Sequence, residues 1–219
     1  MAELRGNLQA GQAAADTVAP GSLVLVVDDD PEIRESLKDL FASVDIEALA
    51  FGSTAALMEA GFPDRPSCLV LDLRLPGSGG LELQDKLVAA GIQTPIIFIT
   101  GHADVPTSVR AMKAGAIDFL SKPFRDQELL DAVHQALRRD EVQRRQDEEL
   151  RELRQLASAL TPREVDVVQG VGRGLLNKQI AYELGVSEIT VKMHRSSAGR
   201  KLQARSVADM VRKIELLGL

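Results

Sequence analysis

Cysteine is nearly absent from this 219-residue sequence, and long apolar runs are missing altogether. The single cysteine, Cys68, excludes an internal disulfide framework and a zinc site built on cysteines. The longest apolar segments are far shorter than the roughly 20 residues that a membrane span needs, and residues 1–22 lack the basic start and apolar block of a secretory signal. We therefore expect a cytoplasmic protein without a membrane contact, long enough for two modest domains.

Acidic residues outnumber basic ones overall, but the two parts of the chain differ in sign. The net charge is -6, yet residues 159–219 hold 10 Lys and Arg against 6 Asp and Glu, a net of +4, which leaves -10 for residues 1–158. An acidic body with a basic end indicates a nucleic-acid-binding domain at the end. A solvated basic face is the simpler alternative.

The sequence pattern divides the chain into four segments. Residues 1–21 have no periodicity and are predicted to be a disordered tail. Residues 22–138 alternate short apolar runs with helical patterns, which predicts an α/β domain with a doubly wound, five-stranded parallel sheet. Residues 139–158 are densely charged and predict a helical linker, either a short coiled coil or a single helix that continues from the last βα unit. Residues 159–219 predict an all-α domain of four helices.

Capping residues set the expected helix boundaries. In the first domain Asp30 precedes Pro31 at a helix start, and helices are expected to stop at Gly91 and Gly115. In the second, a tight turn at Gly185 between two short helices predicts a helix-turn-helix arrangement. The expected caps of its four helices are Thr161, which opens a capping box with Glu164, and then Asn177, Ser187 and Ser206.

Five polar residues follow or end the strand-like segments of the first domain. They are Asp28, Asp29, Asp72, Thr100 and Lys122. Parallel strands would bring all five to the crevice at the carboxyl edge of the sheet, where open α/β sheets bind ligands. Acids there suit a divalent cation, and the hydroxyl and ammonium groups suit phosphate oxygens. The pattern predicts a site for a metal and a phosphoryl group.

The strings that carry these residues resemble the receiver domain of response regulators, a flavodoxin-like fold. The strings are Val-Val-Asp-Asp-Asp, Leu-Asp-Leu-Arg-Leu-Pro-Gly-Ser-Gly-Gly, Thr-Gly-His-Ala-Asp-Val-Pro and Asp-Phe-Leu-Ser-Lys-Pro-Phe. The resemblance implies that Asp72 is the phosphoacceptor, and that Mg²⁺ (or Mn²⁺) is held by Asp28, Asp29, Asp72 and the backbone carbonyl of Arg74. Lys122 would pair with the phosphoryl oxygens, and the Lys122-Pro123 bond would be cis.

The same resemblance implies roles for five residues around the acceptor. Thr100 and Lys122 would sense the phosphoryl group, Thr100 and Phe119 would form the switch pair, and Arg74 and His102 would tune dephosphorylation. We expect Phe119 to be partly buried. The competing interpretation is a phosphatase of the haloacid dehalogenase type, which needs a second aspartate two residues after the nucleophile. Arg74 occupies that position here, which favours a domain that holds its phosphoryl group as a signal.

Residues 159–219 resemble the LuxR-type helix-turn-helix of the NarL/FixJ group, in its FixJ-like branch. The resemblance rests on Leu-Thr-Pro-Arg-Glu and on Asn-Lys-Gln-Ile-Ala-Tyr-Glu-Leu-Gly-Val-Ser-Glu-Ile-Thr-Val-Lys-Met-His-Arg. At about 100° per residue, Val191, Ala198 and Leu202 should face the core. The predicted DNA contacts are Lys178, Lys192, Met193, Ser196, Ser197, Arg200, Lys201 and Arg205. At two positions where family members usually have bulky apolar residues, this sequence has Ala198 and Gly199. The smaller side chains predict a less completely filled core.

Together the two resemblances imply a regulator rather than an enzyme in the ordinary sense. A sensor histidine kinase would donate a phosphoryl group to Asp72, a homodimer would form, and the pair of helix-turn-helix domains would bind two-fold related promoter DNA, with RNA polymerase as a further partner. The receiver would support its own phosphotransfer and slow autodephosphorylation. The alternative is a DNA binder that ignores phosphorylation, or a phosphate sink whose receiver serves only for dimerisation.

Overall fold

The structure is a computed structural model, which describes residues 19, 21–77, 79–101 and 104–219. Two compact units divide the chain, Met1–Arg144 and Arg145–Leu219. The predicted tail, residues 1–21, falls almost entirely outside the described residues, and so does His102. The division between the units lies within the predicted linker.

The first unit contains the predicted five-stranded sheet, whose strands all pair in parallel in the order β2-β1-β3-β4-β5. The three inner strands are buried along their whole length, as expected for a parallel sheet covered by helices on both faces. The strands are β1 (Leu23–Val27), β2 (Glu47–Phe51), β3 (Ser67–Asp72), β4 (Ile96–Thr100) and β5 (Asp118–Ser121).

Five helices follow the strands in alternation and bury one apolar core on each face of the sheet. One core holds Leu37 and Phe41 of α1 with Leu129 and Val133 of α5, and the other holds side chains of α2, α3 and α4. Asp30 caps the first helix as predicted. The bounds are α1 (Pro31–Ala42), α2 (Thr54–Ala60), α3 (Gly80–Ala89), α4 (Val105–Lys113) and α5 (Asp126–Ala157).

The long helix α5 includes the whole predicted linker except its last residue, so the linker is helical, as expected, and continues directly from the last βα unit. Within the first unit Asp140 fixes this helix to the start of β3. Its buried carboxylate accepts hydrogen bonds from the Ser67 amide at 2.8 Å and from Nε of Arg144 at 2.7 Å. Arg144 also donates to the carbonyl of Pro63 at 3.1 Å.

The second unit has the four expected helices around one core. The capping box of Thr161 and the caps Ser187 and Ser206 are confirmed. Asn177 was predicted as a cap and instead begins its helix, because its side chain accepts a hydrogen bond from Arg195 at 3.0 Å. The helices are α6 (Pro162–Gly172), α7 (Asn177–Leu184), α8 (Glu188–Lys201) and α9 (Val207–Leu217).

A shallow cavity of about 340 Å³ borders Gly199 on α8. Ala198 is fully buried, and a Cβ added to Gly199 would lie 3.0 Å from Cε of Met210. The methionine therefore occupies part of the volume that a larger residue at 199 would fill, since an unbranched thioether adapts to irregular gaps.

We expect Gly199→Ala to raise the free energy of unfolding of the second unit by up to about 1 kcal/mol, because alanine favours a helix interior and the end of Met210 can move. Gly199→Leu should gain less, since its larger side chain must displace Met210. Hydrogen exchange of the α8 amides in the full chain measures both. No gain for the alanine variant would contradict the expectation of a weakened core.

Candidate functional site

Three carboxylates meet at the carboxyl edge of the sheet, as the strand order predicts. Asp28 follows the last residue of β1 directly, Asp72 ends β3, and Asp29 comes next to Asp28. One oxygen from each lies within 4.8 Å of the others. Asp28 and Asp72 are buried, whereas Asp29 is exposed at the mouth of the cluster.

Lys122 links the two buried carboxylates. Its Nζ lies 2.6 Å from Oδ2 of Asp28 and 2.7 Å from Oδ2 of Asp72, and its side chain is only 19% exposed. Burial acts to lower the pKa of Lys122, but the hydrogen bonds to the two aspartates outweigh it and raise that pKa. Burial raises the pKa of Asp28, with the hydrogen bond from Lys122 opposing it. The ammonium thus balances negative charge that burial alone would disfavour.

Backbone amides orient the same carboxylates from the loops after β1 and β3. The Asp30 amide donates to Oδ1 of Asp28, and the Arg74 amide donates to Oδ1 of Asp72, both at 2.9 Å. Each bond runs two residues back along the chain, an arrangement that aspartate adopts readily at turns. In both aspartates Oδ1 takes the amide and Oδ2 takes Lys122.

The predicted switch residues stand on the two neighbouring strands. Thr100 ends β4 and is buried, and the Lys122 amide donates to its carbonyl at 2.7 Å. Phe119 on β5 is half-buried, as expected, with its ring centroid 6.2 Å from that of Phe98. The Lys122-Pro123 bond is cis, which confirms that expectation.

The donor set fits a hard divalent cation. Mg²⁺ prefers carboxylate and carbonyl oxygens, and three such carboxylates converge here with two of them buried. The carbonyl of Arg74 follows in the same loop as Asp72, and its role as a further ligand stays a prediction. The role predicted for His102 also stays a prediction, because His102 lies outside the residues that the structure describes.

Gly80, at the start of α3, is a residue whose importance the sequence did not indicate. A Cβ built on it would lie 2.6 Å from the carbonyl oxygen of Asp72 and 3.1 Å from Cε1 of Phe98. Only glycine lets the first turn of α3 approach the backbone of the proposed acceptor so closely. The sequence shows two adjacent glycines at this point, but that pattern does not indicate which atoms Gly80 contacts.

Helix α8 presents an exposed outer face and a buried inner one. Val191, Ala198 and Leu202 are fully buried, as predicted from helical periodicity. The exposed side includes Lys192, Met193, Ser196 and Arg200. Nζ of Lys192 lies 3.3 Å from Oε1 of Glu188, an exposed pair of the kind that contributes about 0–1 kcal/mol and is easily exchanged for another partner. Lys178 and Arg205 are exposed as well.

Two of the predicted DNA contacts share a buried internal partner. Nζ of Lys201 lies 2.6 Å from Oε2 of the buried Glu164, and the Ser197 hydroxyl also bonds to that carboxylate. The Thr161 amide donates to it at 2.7 Å. Burial acts to raise the pKa of Glu164, but these bonds together lower it to about 2. A DNA contact of Ser197 or Lys201 would compete with this internal partner, and the role of both residues at DNA stays a prediction.

Two family models match the two units. Residues 24–134 match the response regulator receiver domain, and residues 158–214 match the luxR family of bacterial regulatory proteins. Nodulation protein W of Bradyrhizobium diazoefficiens is 52% identical over 96% of this chain and 92% of its own length. The chain belongs to the NarL/FixJ family of response regulators. FixJ of Azorhizobium caulinodans is 42% identical over 91% of this response regulator and 95% of its own length.

Solved structures of response regulators extend the likeness to the fold. The response regulator StyR is 48% identical, with a TM-score of 0.78 over 89% of this chain and 98% of its own. Full-length FixJ from B. japonicum is 36% identical, with a TM-score of 0.55 over 90% and 98% of the two chains. Among the residues described in this response regulator, no helix combines the length and apolar character needed to span a membrane.

Proposed function

We propose that this response regulator accepts a phosphoryl group on Asp72 from a sensor histidine kinase and then binds two-fold related promoter DNA as a cytoplasmic homodimer. The observation that carries the proposal is Lys122 bridging Asp28 and Asp72 at 2.6 and 2.7 Å. That arrangement places one cation beside both the proposed acceptor and a second acid. The phosphatase alternative lacks its second acid, because Arg74 stands there.

The side chains support the chemistry of phosphoryl transfer. An oxygen of Asp72 attacks the phosphorus as the bond to the kinase's histidine breaks, so negative charge gathers on the phosphoryl oxygens. Lys122 is placed to neutralise part of it, and Mg²⁺ held by the three aspartates would supply the remaining charge stabilisation. Thr100, at the end of the neighbouring strand, would donate a hydrogen bond to a phosphoryl oxygen. Its hydroxyl would move toward the phosphoryl group, and the ring of Phe119 would move inward into the space that it leaves. The receiver thus assists its own phosphorylation.

The DNA-binding half of the proposal rests on α8 as the recognition helix. Helix-turn-helix domains place such a helix in the major groove, with its first turns against base edges. The side chains that we propose as contacts are exposed here: Lys178, Lys192, Met193, Ser196, Arg200 and Arg205. One small domain makes few contacts, so two linked domains on paired half-sites would bind far more tightly.

Asp72→Asn tests the proposal in the full chain. Incubation with acetyl phosphate and Mg²⁺ should add the mass of one phosphoryl group to the wild type and tighten its binding to duplexes selected from a random-sequence library. The asparagine variant should show neither change, since an amide oxygen is a poor nucleophile. Mass spectrometry and binding titrations at one fixed salt concentration measure both effects.

Asp30→Asn is the matched control. Asp30 is exposed, lies beside the cluster and caps α1, and asparagine is an equally good cap. It should behave as the wild type. A phosphorylated Asp72→Asn would contradict the acceptor assignment, and a wild type whose DNA affinity ignores phosphorylation would favour a DNA binder that is independent of it.

A further inference from the structure

Two large apolar side chains of α8 lie in solvent. Ile189 is 71% exposed and Met193 is 68% exposed, and neither belongs to the core of the second unit. They are four residues apart, so they are neighbours on one side of the helix, while Val191 and Ala198 face inward. The two side chains form a small exposed apolar patch, which is suited to an interaction with an apolar group of a partner.

The surroundings of the pair indicate the kind of partner. Lys192 lies between the two in sequence, Arg200 is exposed further along the same helix, and residues 159–219 carry a net charge of +4. A basic surface is complementary to the phosphate backbone of DNA. Base edges in the major groove offer one apolar group, the 5-methyl of thymine. Ile189 is the second residue of α8, and the first turns of a recognition helix are those that reach the base edges.

We propose that Ile189 and Met193 form an apolar pair that reads the methyl groups of two thymines in each half-site. The inference rests on the proposed DNA-binding function and adds to it a sequence requirement and a residue, Ile189, that is not among the predicted DNA contacts. Side chains four apart on a helix have Cβ atoms about 5–6 Å apart. Successive bases of one strand lie about 3.4 Å apart. The two thymines therefore stand one or two base steps from each other.

Deoxyuridine provides the test, because it differs from thymidine only by the methyl group. Duplexes are selected from a random-sequence library with the phosphorylated full-length protein, and each thymine of the selected half-site is then replaced by deoxyuridine. Burying one methyl corresponds to about a fourfold change in affinity. Two positions should each show a loss of that size with the wild type, and little loss should occur elsewhere.

The variants assign the positions. Ile189→Ala should remove the thymine preference at one position, and Met193→Ala at the other. Leu216→Ala, which truncates an exposed apolar residue of α9, is the matched control and should keep both preferences. Circular dichroism confirms that each variant folds.

The outcomes separate the inference from the proposed function. The inference would be overturned if the selected DNA bound equally well with thymine or uracil. It would also be overturned if the thymine preferences persisted in both alanine variants, and in either case DNA binding itself would stand. A weakened dimer with unchanged preferences in Ile189→Ala would overturn it in favour of a contact with a second copy. Failure to select any sequence would contradict the proposed function itself.

Discussion

Gly80→Ala is expected to lower the free energy of unfolding of the receiver by about 2 kcal/mol or more, as overpacking against a rigid neighbour does. The added Cβ would lie 2.6 Å from the Asp72 carbonyl oxygen and 3.2 Å from Cα of Leu73, and neither backbone atom can move without moving β3. Phosphorylation should slow as well, because the shift displaces Asp72 from Lys122. Hydrogen exchange of the β1 and β3 amides measures the stability, and the rate of labelling by acetyl phosphate measures the chemistry.

Gly79→Ala is the matched control for this prediction. The neighbouring glycine has a φ of -65°, which any residue adopts, and a Cβ on it would lie 3.6 Å from the Leu73 carbonyl, an ordinary contact. Loss of stability there should be smaller, about 0.5–1 kcal/mol, because no neighbouring atom has to move and only the poorer capping by alanine counts. Equal losses in the two variants would show that the close approach to Asp72 is unimportant.

Features of the fold that depend on local chemistry could be predicted from the sequence. Helix caps such as Asp30 and Ser187 satisfy amides two or three residues away, so their signal is contained in a short string. The acidic cluster could also be predicted, although Asp28 and Lys122 are 94 residues apart. The reason is that a parallel sheet brings every carboxyl end to one edge, whichever loops connect the strands.

Features that depend on a contact between distant side chains could not be predicted. Helical periodicity placed Ser197 on the outer side of α8, but it gives no information about Glu164, a buried acid from another helix. For the same reason the sequence did not predict the hydrogen bond from the Ser67 amide to the Asp140 carboxylate, because these residues are 73 positions apart. Gly80 was missed for a related reason, because the close approach of two backbones has no periodic signature.

Glu164→Gln is expected to destabilise the second unit and to remove part of its pH dependence. The carboxylate joins two helices, because it closes the capping box with Thr161 at the start of α6 and accepts from Lys201 and Ser197 on α8. Loss of a charge-assisted hydrogen bond in a buried position costs about 1 to 3 kcal/mol. Because Lys201 and Ser197 hold α8, the substitution should also weaken DNA binding at neutral pH.

The sign of the pH dependence follows from the lowered pKa of Glu164. Its folded pKa of about 2 lies below the ordinary value of 4.5, so the ionised form binds its partners better than the protonated form does. The stability that it contributes is complete above pH 4.5 and is lost as the pH falls toward 2. Glutamine cannot ionise, so the difference between wild type and variant should shrink through that window.

Urea unfolding at several pH values, followed by the amide NMR signals of Val191 and Ala198, measures this difference within the second unit. Glu183→Gln is the control, because Glu183 is also paired, with Arg173 at 2.6 Å, but on the exposed surface, where such a pair contributes about 0–1 kcal/mol. Its curve should run parallel to that of the wild type. A Glu164→Gln curve that also runs parallel, from pH 7 down to 2, would mean that the buried carboxylate gains nothing from Lys201 and Ser197. Packing alone would then set the orientation of α8.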